Sequence, residues 1–308
     1  MNRLIAVSSA VLAIIIAAVM VTGDVRTAEY KGTTTCKMCH KVMHQKLVES
    51  YEKVAHPMAM QKADAPGAIV GDFASNPIFT QDKVAYALGR GRNEQAYLDA
   101  NYQVLPAVWD VKGKKWKPTA AADGTTQCIG CHTTNYDPVK KAYTEMGVGC
   151  EACHGPGGDH TAGDQNAIVK LKTMDKAKQS MVCGQCHSRG KDPSGKYAHP
   201  VAFRPGDDLT QAFVDAKPTA PGRNQQYSEH AMSKHAAAGT MCTDCHDPHN
   251  TAGIKAQLRK PENELCLSCH AEKIKDLATH APTAPEGATC ASCHMMYGQH
   301  SFAKPGGS

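Results

Sequence analysis

Large aromatic side chains are scarce in this chain of 308 residues, which has two tryptophans, five phenylalanines and 6% aromatic residues overall. A conventional core built on stacked rings is therefore not expected. The formal net charge is +5, yet the lysines are scattered and no basic stripe is interleaved with stacking aromatics, which excludes a nucleic-acid partner. No cysteine lies outside a C-x-x-C spacing and none lies near the N-terminal apolar segment. The second absence excludes a lipid-modified cysteine there.

What the chain has in excess is one short signature. Residues 128–160, CIGCHTTNYDPVKKAYTEMGVGCEACHGPGGDH, hold two copies of C-x-x-C-H, and seven occur in all: Cys36/Cys39/His40, Cys128/Cys131/His132, Cys150/Cys153/His154, Cys183/Cys186/His187, Cys242/Cys245/His246, Cys266/Cys269/His270 and Cys290/Cys293/His294. Together they use all fourteen cysteines. Two intervening residues set the thiols one helical turn apart, so both sulfurs reach one edge of a porphyrin and the next residue points at its metal. The signature is that of covalent haem c, with the histidine as one axial ligand. Structural zinc sites or a disulfide framework would explain the cysteines but not a histidine after every second one. With sixteen histidines in 308 residues, seven such coincidences have odds of roughly one in a billion. Seven covalently bound haem c groups are expected, held by all fourteen thiols.

At about forty residues per haem, these apolar plates replace the missing aromatic core, and no stable fold is expected without them. Their propionates and iron centres would shift the charge by about −7 when oxidised or −14 when reduced, with basic residues as partners for the propionates.

The N-terminal residues MNRLIAVSSAVLAIIIAAVMV read as an export signal, with cleavage after Gly23 or Ala28. The alternative is an uncleaved anchor, since residues 4–21 are just long enough to span a bilayer. A periplasmic or extracellular location follows, and export suits a cofactor attached outside the inner membrane. Residues 29–200 then form a tetrahaem domain, 201–228 a Gly- and Pro-rich linker, and 229–308 a trihaem module in which Cys242, Cys266 and Cys290 recur every 24 residues. The expected fold is mainly α with long loops and a small β-hairpin. A helix follows the first site and carries His56 towards another haem, ending near Pro57. Residues 82–100 read as a helix interrupted by Gly89 and Gly91. YQVLPAVWDVKGKKW, beginning at Tyr102, reads as a hairpin turning near Gly113, either a lid over haem edges or a supporting element. Residues 174–181 read as a short amphipathic helix.

Across residues 30–190 the motifs TCKMCH with AHPMAM, QCIGCH, GVGCEACHGPGGDH and VCGQCHSRG resemble, in that order, the cytochrome c-554 (cytochrome c-552/4) family. The remainder, SKHAAAGTMCTDCHDPH, ELCLSCH and ATCASCHMM, resembles longer relatives carrying a doubled C-x-x-C-H module. The resemblance implies a mainly helical string of haems whose irons are held by two histidines. By motif, it implies that His56 ligates the haem of Cys150/Cys153 and His160 that of Cys36/Cys39, while the haem of Cys128/Cys131 can lack a sixth ligand. The histidine that the family places before the fourth site is missing here, so that haem must draw its ligand from elsewhere, with His199 and His230 as candidates.

The candidate distal ligands are His56, His160, His199, His235, His249, His280 and His300. His44 and His230 are spare. Six-coordinate iron with two imidazoles suits electron passage, because binding a substrate would require losing a ligand. The leading reading is an exported carrier relaying electrons between a membrane quinol-oxidising complex and a terminal reductase, another cytochrome or an extracellular acceptor, with no catalytic residue. One alternative is an oxidoreductase acting on a small nitrogen or sulfur compound at the His132 haem, although no C-x-x-C-K variant occurs. Another is a subunit of a polymeric wire, an oligomer or filament in which a spare histidine serves the next copy.

Overall fold

The computed structural model describes residues 29–302, apart from 221, 223 and 275. The export segment expected at residues 1–28 therefore lies outside the described residues. Among those described, no helix is long and apolar enough to cross a membrane.

The first C-x-x-C-H sits on helix α1 (Thr33–Met43), which breaks at His44 (φ −136°) before α2 (Gln45–Tyr51). The single helix expected here is thus two. His56 lies beyond both, on a short 3-10 turn (His56–Met58) that Pro57, lacking a donor N–H, fits at its start. α1 buries none of its residues, and Met38, Val42 and Met43 are exposed.

Residues 60–118 depart most from expectation. In place of one hairpin they form a five-stranded antiparallel sheet, β1 (Met60–Lys62), β2 (Tyr86–Leu88), β3 (Glu94–Leu98), β4 (Ala107–Asp110) and β5 (Lys115–Pro118), in sequential order. The expected hairpin is its β4–β5 edge, where Trp109 pairs with Trp116. The helix expected over residues 82–100 is instead the β2–β3 pair. Gly89 (φ +77°) and Gly91 (φ +64°) are not interruptions but the left-handed residues of the connection, and a Cβ on Gly91 would overlap the Val70 side chain. Gln95, Tyr97 and Leu98 are buried, so the two-residue period lies beneath what read as a helix.

Two small cores flank this sheet. On one side Phe73, Phe79, Tyr97 and Trp116 pack with ring centroids 4.8–6.3 Å apart, and Trp109 lies 5.3 Å from Trp116. Both tryptophans are used here, in a supporting core. On the other side Met60, Leu88, Leu98 and Ile129 join, with Cys128 and Tyr136 against them, so the sheet walls the second C-x-x-C-H. Buried Gln95 is fully satisfied: its amide nitrogen donates to Ala68 O (2.7 Å) and Gly89 O (3.1 Å), and its oxygen accepts from Val70 N and the Tyr97 hydroxyl.

The rest of the described chain is short helices, turns and two two-stranded ribbons around the remaining motifs, so the regular structure is shared between helices and sheet. The helix Lys176–Gly184, expected near residues 174–181, is capped by Asp175, whose carboxylate accepts from Ala177 N and Lys178 N. Residues 201–228, read as a linker, pack as structure. Leu209 and Phe213 are buried, and Val214–Asp215 pairs with Gly190–Lys191.

Candidate haem-binding site

Each C-x-x-C-H lies on or at the end of a helical turn, as its spacing requires: Thr33–Met43, Ile129–His132, Glu151–His154, Lys176–Gly184, Cys242–Cys245, Glu262–His270 and Cys290–His294. Asp123 starts the helical residues before Cys128 by accepting from Thr125 N, and Thr289 caps the last motif by accepting from Ser292 N.

The fourteen thiols are not gathered evenly. Sulfurs of the first and third motifs (Cys36, Cys150), the second and fourth (Cys131, Cys186) and the fourth and fifth (Cys183, Cys242) meet in pairs. The sulfurs of the sixth and seventh motifs (Cys266, Cys290) meet likewise. Cys39 and Cys269 are exposed and Cys293 is half-buried. Cys269 Sγ lies 4.0 Å from Ser268 Oγ and Cys293 Sγ 3.8 Å from Ser292 Oγ, so each touches the residue before it on its own helix.

Four motif histidines are oriented by their inner ring nitrogen. His132 Nδ1 bonds Ala59 O (2.6 Å), His154 Nδ1 bonds Val169 O (2.9 Å), His187 Nδ1 bonds Gln226 Oε1 (3.2 Å) and His246 Nδ1 bonds Ala256 O (2.9 Å). Each acceptor fixes the Nδ1–H tautomer and leaves Nε2 unprotonated, the state a metal requires. Burial is the largest cause lowering the pKa of His40, His132, His187, His246 and His249, and it pushes His56 and His300 down to about 4. All are thereby held as neutral imidazoles.

Six motif histidines face a second imidazole. The ring centroids are 6.2 Å apart for His40 and His160, 6.2 Å for His187 and His56, 6.2 Å for His154 and His249, 6.0 Å for His246 and His300, 5.8 Å for His270 and His235, and 6.2 Å for His294 and His280. An iron–imidazole bond of about 2.0 Å on each side, with each ring centre roughly 1.1 Å behind its nitrogen, separates trans imidazoles by about 6 Å. The residues therefore fit an iron between each pair. Buried His160 Nδ1 and His235 Nδ1 have no hydrogen-bond partner.

One expected pairing changes. His56 stands opposite His187 of the fourth motif, not His154 of the third, because the chain turns at Pro57 before β1. His249, from the C-terminal module, takes the place opposite His154. That exchange also supplies the fourth motif, for which His199 or His230 had been the candidates. His199 meets no motif histidine. Its ring lies 5.7 Å from Tyr136 and 5.5 Å from Tyr197, against the backbone of Gly130. Gly130 is on the face of its helical turn away from Cys128 and His132, so His199 is behind the motif. His230 Nε2 is engaged by the Thr240 hydroxyl at 3.2 Å. Among the described residues no second imidazole stands opposite His132.

Glu151, inside the third motif, is a residue that sequence reasoning missed. It is 1% exposed, and its carboxylate accepts from Gly32 N (2.7 Å), Gly157 N (2.7 Å) and Lys31 N (2.9 Å). It thus ties the start of α1 to the turn that carries His160. An acidic residue inside C-x-x-C was the only signal for it.

These geometries are those of the multihaem c-type cytochromes. Within that class, residues 99–155 match the family described as cytochrome c554 and c-prime, and residues 235–275 match the doubled CXXCH motif. The chain is 30% identical to the multiheme cytochrome MtrA of Shewanella baltica (strain OS185), over 52% of this chain and 56% of that one. It is 26% identical to the dissimilatory sulfite reductase MccA of Wolinella succinogenes, over 56% of this chain and 28% of that one. It therefore spans well under two thirds of these relatives. In fold it is similar to the outer cell wall cytochrome OcwA, with a TM-score of 0.72 and 23% identity over 89% of this chain and 79% of that one.

Proposed function

We propose that the seven motifs hold seven covalent haem c groups, and that the chain is an exported relay passing electrons between a membrane quinol-oxidising complex and a terminal reductase or extracellular acceptor. The observation that carries this reading is the set of six opposed imidazole pairs. Each haem supplies a one-electron iron couple. The protein's part is to fill both axial positions with neutral histidines and to fix their tautomers. Four backbone or amide oxygens do the second task, so the ligand shell changes little with redox state. The likeness to MtrA and the fold of OcwA support it as well. The test is intact mass with electron paramagnetic resonance of the oxidised protein, where seven haem masses and a dominant low-spin signal are expected. Fewer masses, or a mostly high-spin spectrum, would refute it.

A second reading is favoured by one feature. His132 is half-buried and oriented, yet among the described residues no imidazole faces it. An iron held there would keep a position open for a small nitrogen or sulfur compound, and one relative is named a sulfite reductase. Nitric oxide uptake by about one haem in seven would support this reading. No uptake would end it.

A further inference from the structure

The relay reading leaves open what sets the potentials of individual haems, and for two of them the side chains come from one short helix. Gln226–Ala231 straddles the boundary expected between linker and C-terminal module, and it buries Ser228, Glu229 and His230 although it is only six residues long. It is fastened to the fourth motif. Tyr227 N donates to His187 O at 2.8 Å, and the Tyr227 ring lies so close to Gly184 that a Cβ there would overlap it. Ser228 Oγ donates to Asp215 Oδ1 at 2.6 Å, on the strand that pairs with Gly190–Lys191 just after that motif. From this frame Gln226 Oε1 accepts from His187 Nδ1 at 3.2 Å. The inner nitrogens of His132, His154 and His246 bond backbone carbonyls. Of these four motif histidines, His187 is thus the one whose acceptor is a side chain that substitution can remove.

Three residues on, Glu229 serves a different iron site. It is 3% exposed, its Oε1 accepts from Gln225 Nε2 at 2.8 Å, and its Oε2 accepts from His300 N at 2.7 Å. Both oxygens accept, as those of a carboxylate do. His300 stands opposite His246 of the fifth motif, on chain beyond the turn Met296–Gly298 that belongs to no helix or strand. The bond from Glu229 reaches it across 71 residues of sequence. A buried carboxylate in this place does two things. It holds the backbone of a ligand that no helix positions, and its negative charge beside the iron site favours the ferric over the ferrous state.

We propose that Gln226 and Glu229 are positioning residues for two different irons, Gln226 through His187 at the fourth motif and Glu229 through His300 at the fifth, and that Glu229 lowers the potential of the fifth haem. The proposal rests on the relay reading. It is tested by potentiometric titration of the full-length holoprotein followed by electron paramagnetic resonance. Glu229→Gln keeps an oxygen for His300 N but removes the charge. It should retain every low-spin signal and raise the midpoint of one haem, so that its oxidised-to-reduced ratio at a fixed potential falls about tenfold, equal to about 59 mV for a one-electron couple. Glu229→Ala also removes the hold on His300 and should turn that same haem high-spin and open to carbon monoxide. Gln226→Leu takes the acceptor from His187 and should raise the midpoint of a different haem, and the double variant should show both shifts. Unmoved midpoints in Glu229→Gln, an unchanged low-spin set in Glu229→Ala, or the same haem shifted by Glu229→Gln and Gln226→Leu would overturn the proposal. If Glu229→Ala yields no folded protein, the midpoints of the other two variants decide. Missing haem masses in the parent protein would overturn the relay reading itself, whereas a fully loaded parent with unmoved variants would overturn only the roles of Gln226 and Glu229.

Discussion

Replacing Glu151 should unfasten two axial ligands at once without touching either. Its carboxylate accepts three backbone N–H groups, from Lys31, Gly32 and Gly157. Gly32 begins α1, which carries His40, and Gly157 begins Gly158–Thr161, which carries His160. In Glu151→Ala these donors lose their acceptor inside the protein. At about 1–3 kcal/mol for each buried donor left unpaired, and allowing for partial access to water, the loss is on the order of 3–6 kcal/mol. Glu151→Gln keeps the shape but turns an NH2 towards N–H donors, so about half that loss is expected. The assay is thermal unfolding together with the low-spin fraction by electron paramagnetic resonance. Both variants should melt earlier, and Glu151→Ala should convert one low-spin haem to a high-spin form that binds carbon monoxide as His160 leaves its place opposite His40. If Glu151→Ala kept all its low-spin haems and stayed within about 0.5 kcal/mol of the parent, Glu151 would not be holding the pair.

Four further outcomes are expected. A methyl group at Gly130 would overlap the His199 ring, so Gly130→Ala should cost about 1–3 kcal/mol in denaturant melts; an unchanged midpoint would refute the contact. Burial pushes His199 down to about 4, below its unfolded value of about 6.5. The fold thus holds it neutral, and the stability linked to it is complete above about pH 6.5 and lost as pH falls towards 4, by up to ~3 kcal/mol. His199→Phe should flatten that part of the stability–pH curve, and an identical slope would sink the assignment. Trp116→Ala should cost about 3–5 kcal/mol while leaving haem spectra unchanged, because its ring contacts lie in the sheet's own aromatic core; a shifted haem spectrum would mean that the sheet is a lid. Chain matured without haem should be digested by protease everywhere except near residues 60–118, and equal loss of that segment would count against an independent core there.

What was legible in the sequence was covalent and local. The spacing C-x-x-C-H fixes a turn and a ligand regardless of context, so every motif histidine could be named beforehand. The β4–β5 hairpin was also readable, from alternation around Lys112 and Gly113. The contacts of the individual thiols were not: only the packing around its helix draws Cys131 against Cys186. Pairings across the chain were equally hidden. His56 and His187 are far apart in sequence, and only the path of the backbone past Pro57 decides between His187 and His154. The β2–β3 pair was misread because two glycines inside an apolar stretch look the same whether they interrupt a helix or turn a hairpin. Here positive φ at both decides for the hairpin.

The distribution of buried side chains explains why ligand geometry, more than residue packing, governs this fold. α1 buries none of its residues, nor do the helices Glu262–His270 and Cys290–His294. Helices of five to eleven residues with so little apolar contact cannot hold themselves in water. Each nonetheless carries a motif histidine set about 6 Å from another that arrives from a separate part of the chain. An iron between such rings closes a loop of many tens of residues, as between His40 and His160, and removes the corresponding freedom from the unfolded chain. The shortage of aromatic residues and the abundance of motifs are then one property: where a porphyrin is bonded and clamped from both faces, large side chains are not needed. Where no motif falls, over residues 60–118, the chain falls back on tryptophan, phenylalanine and paired strands.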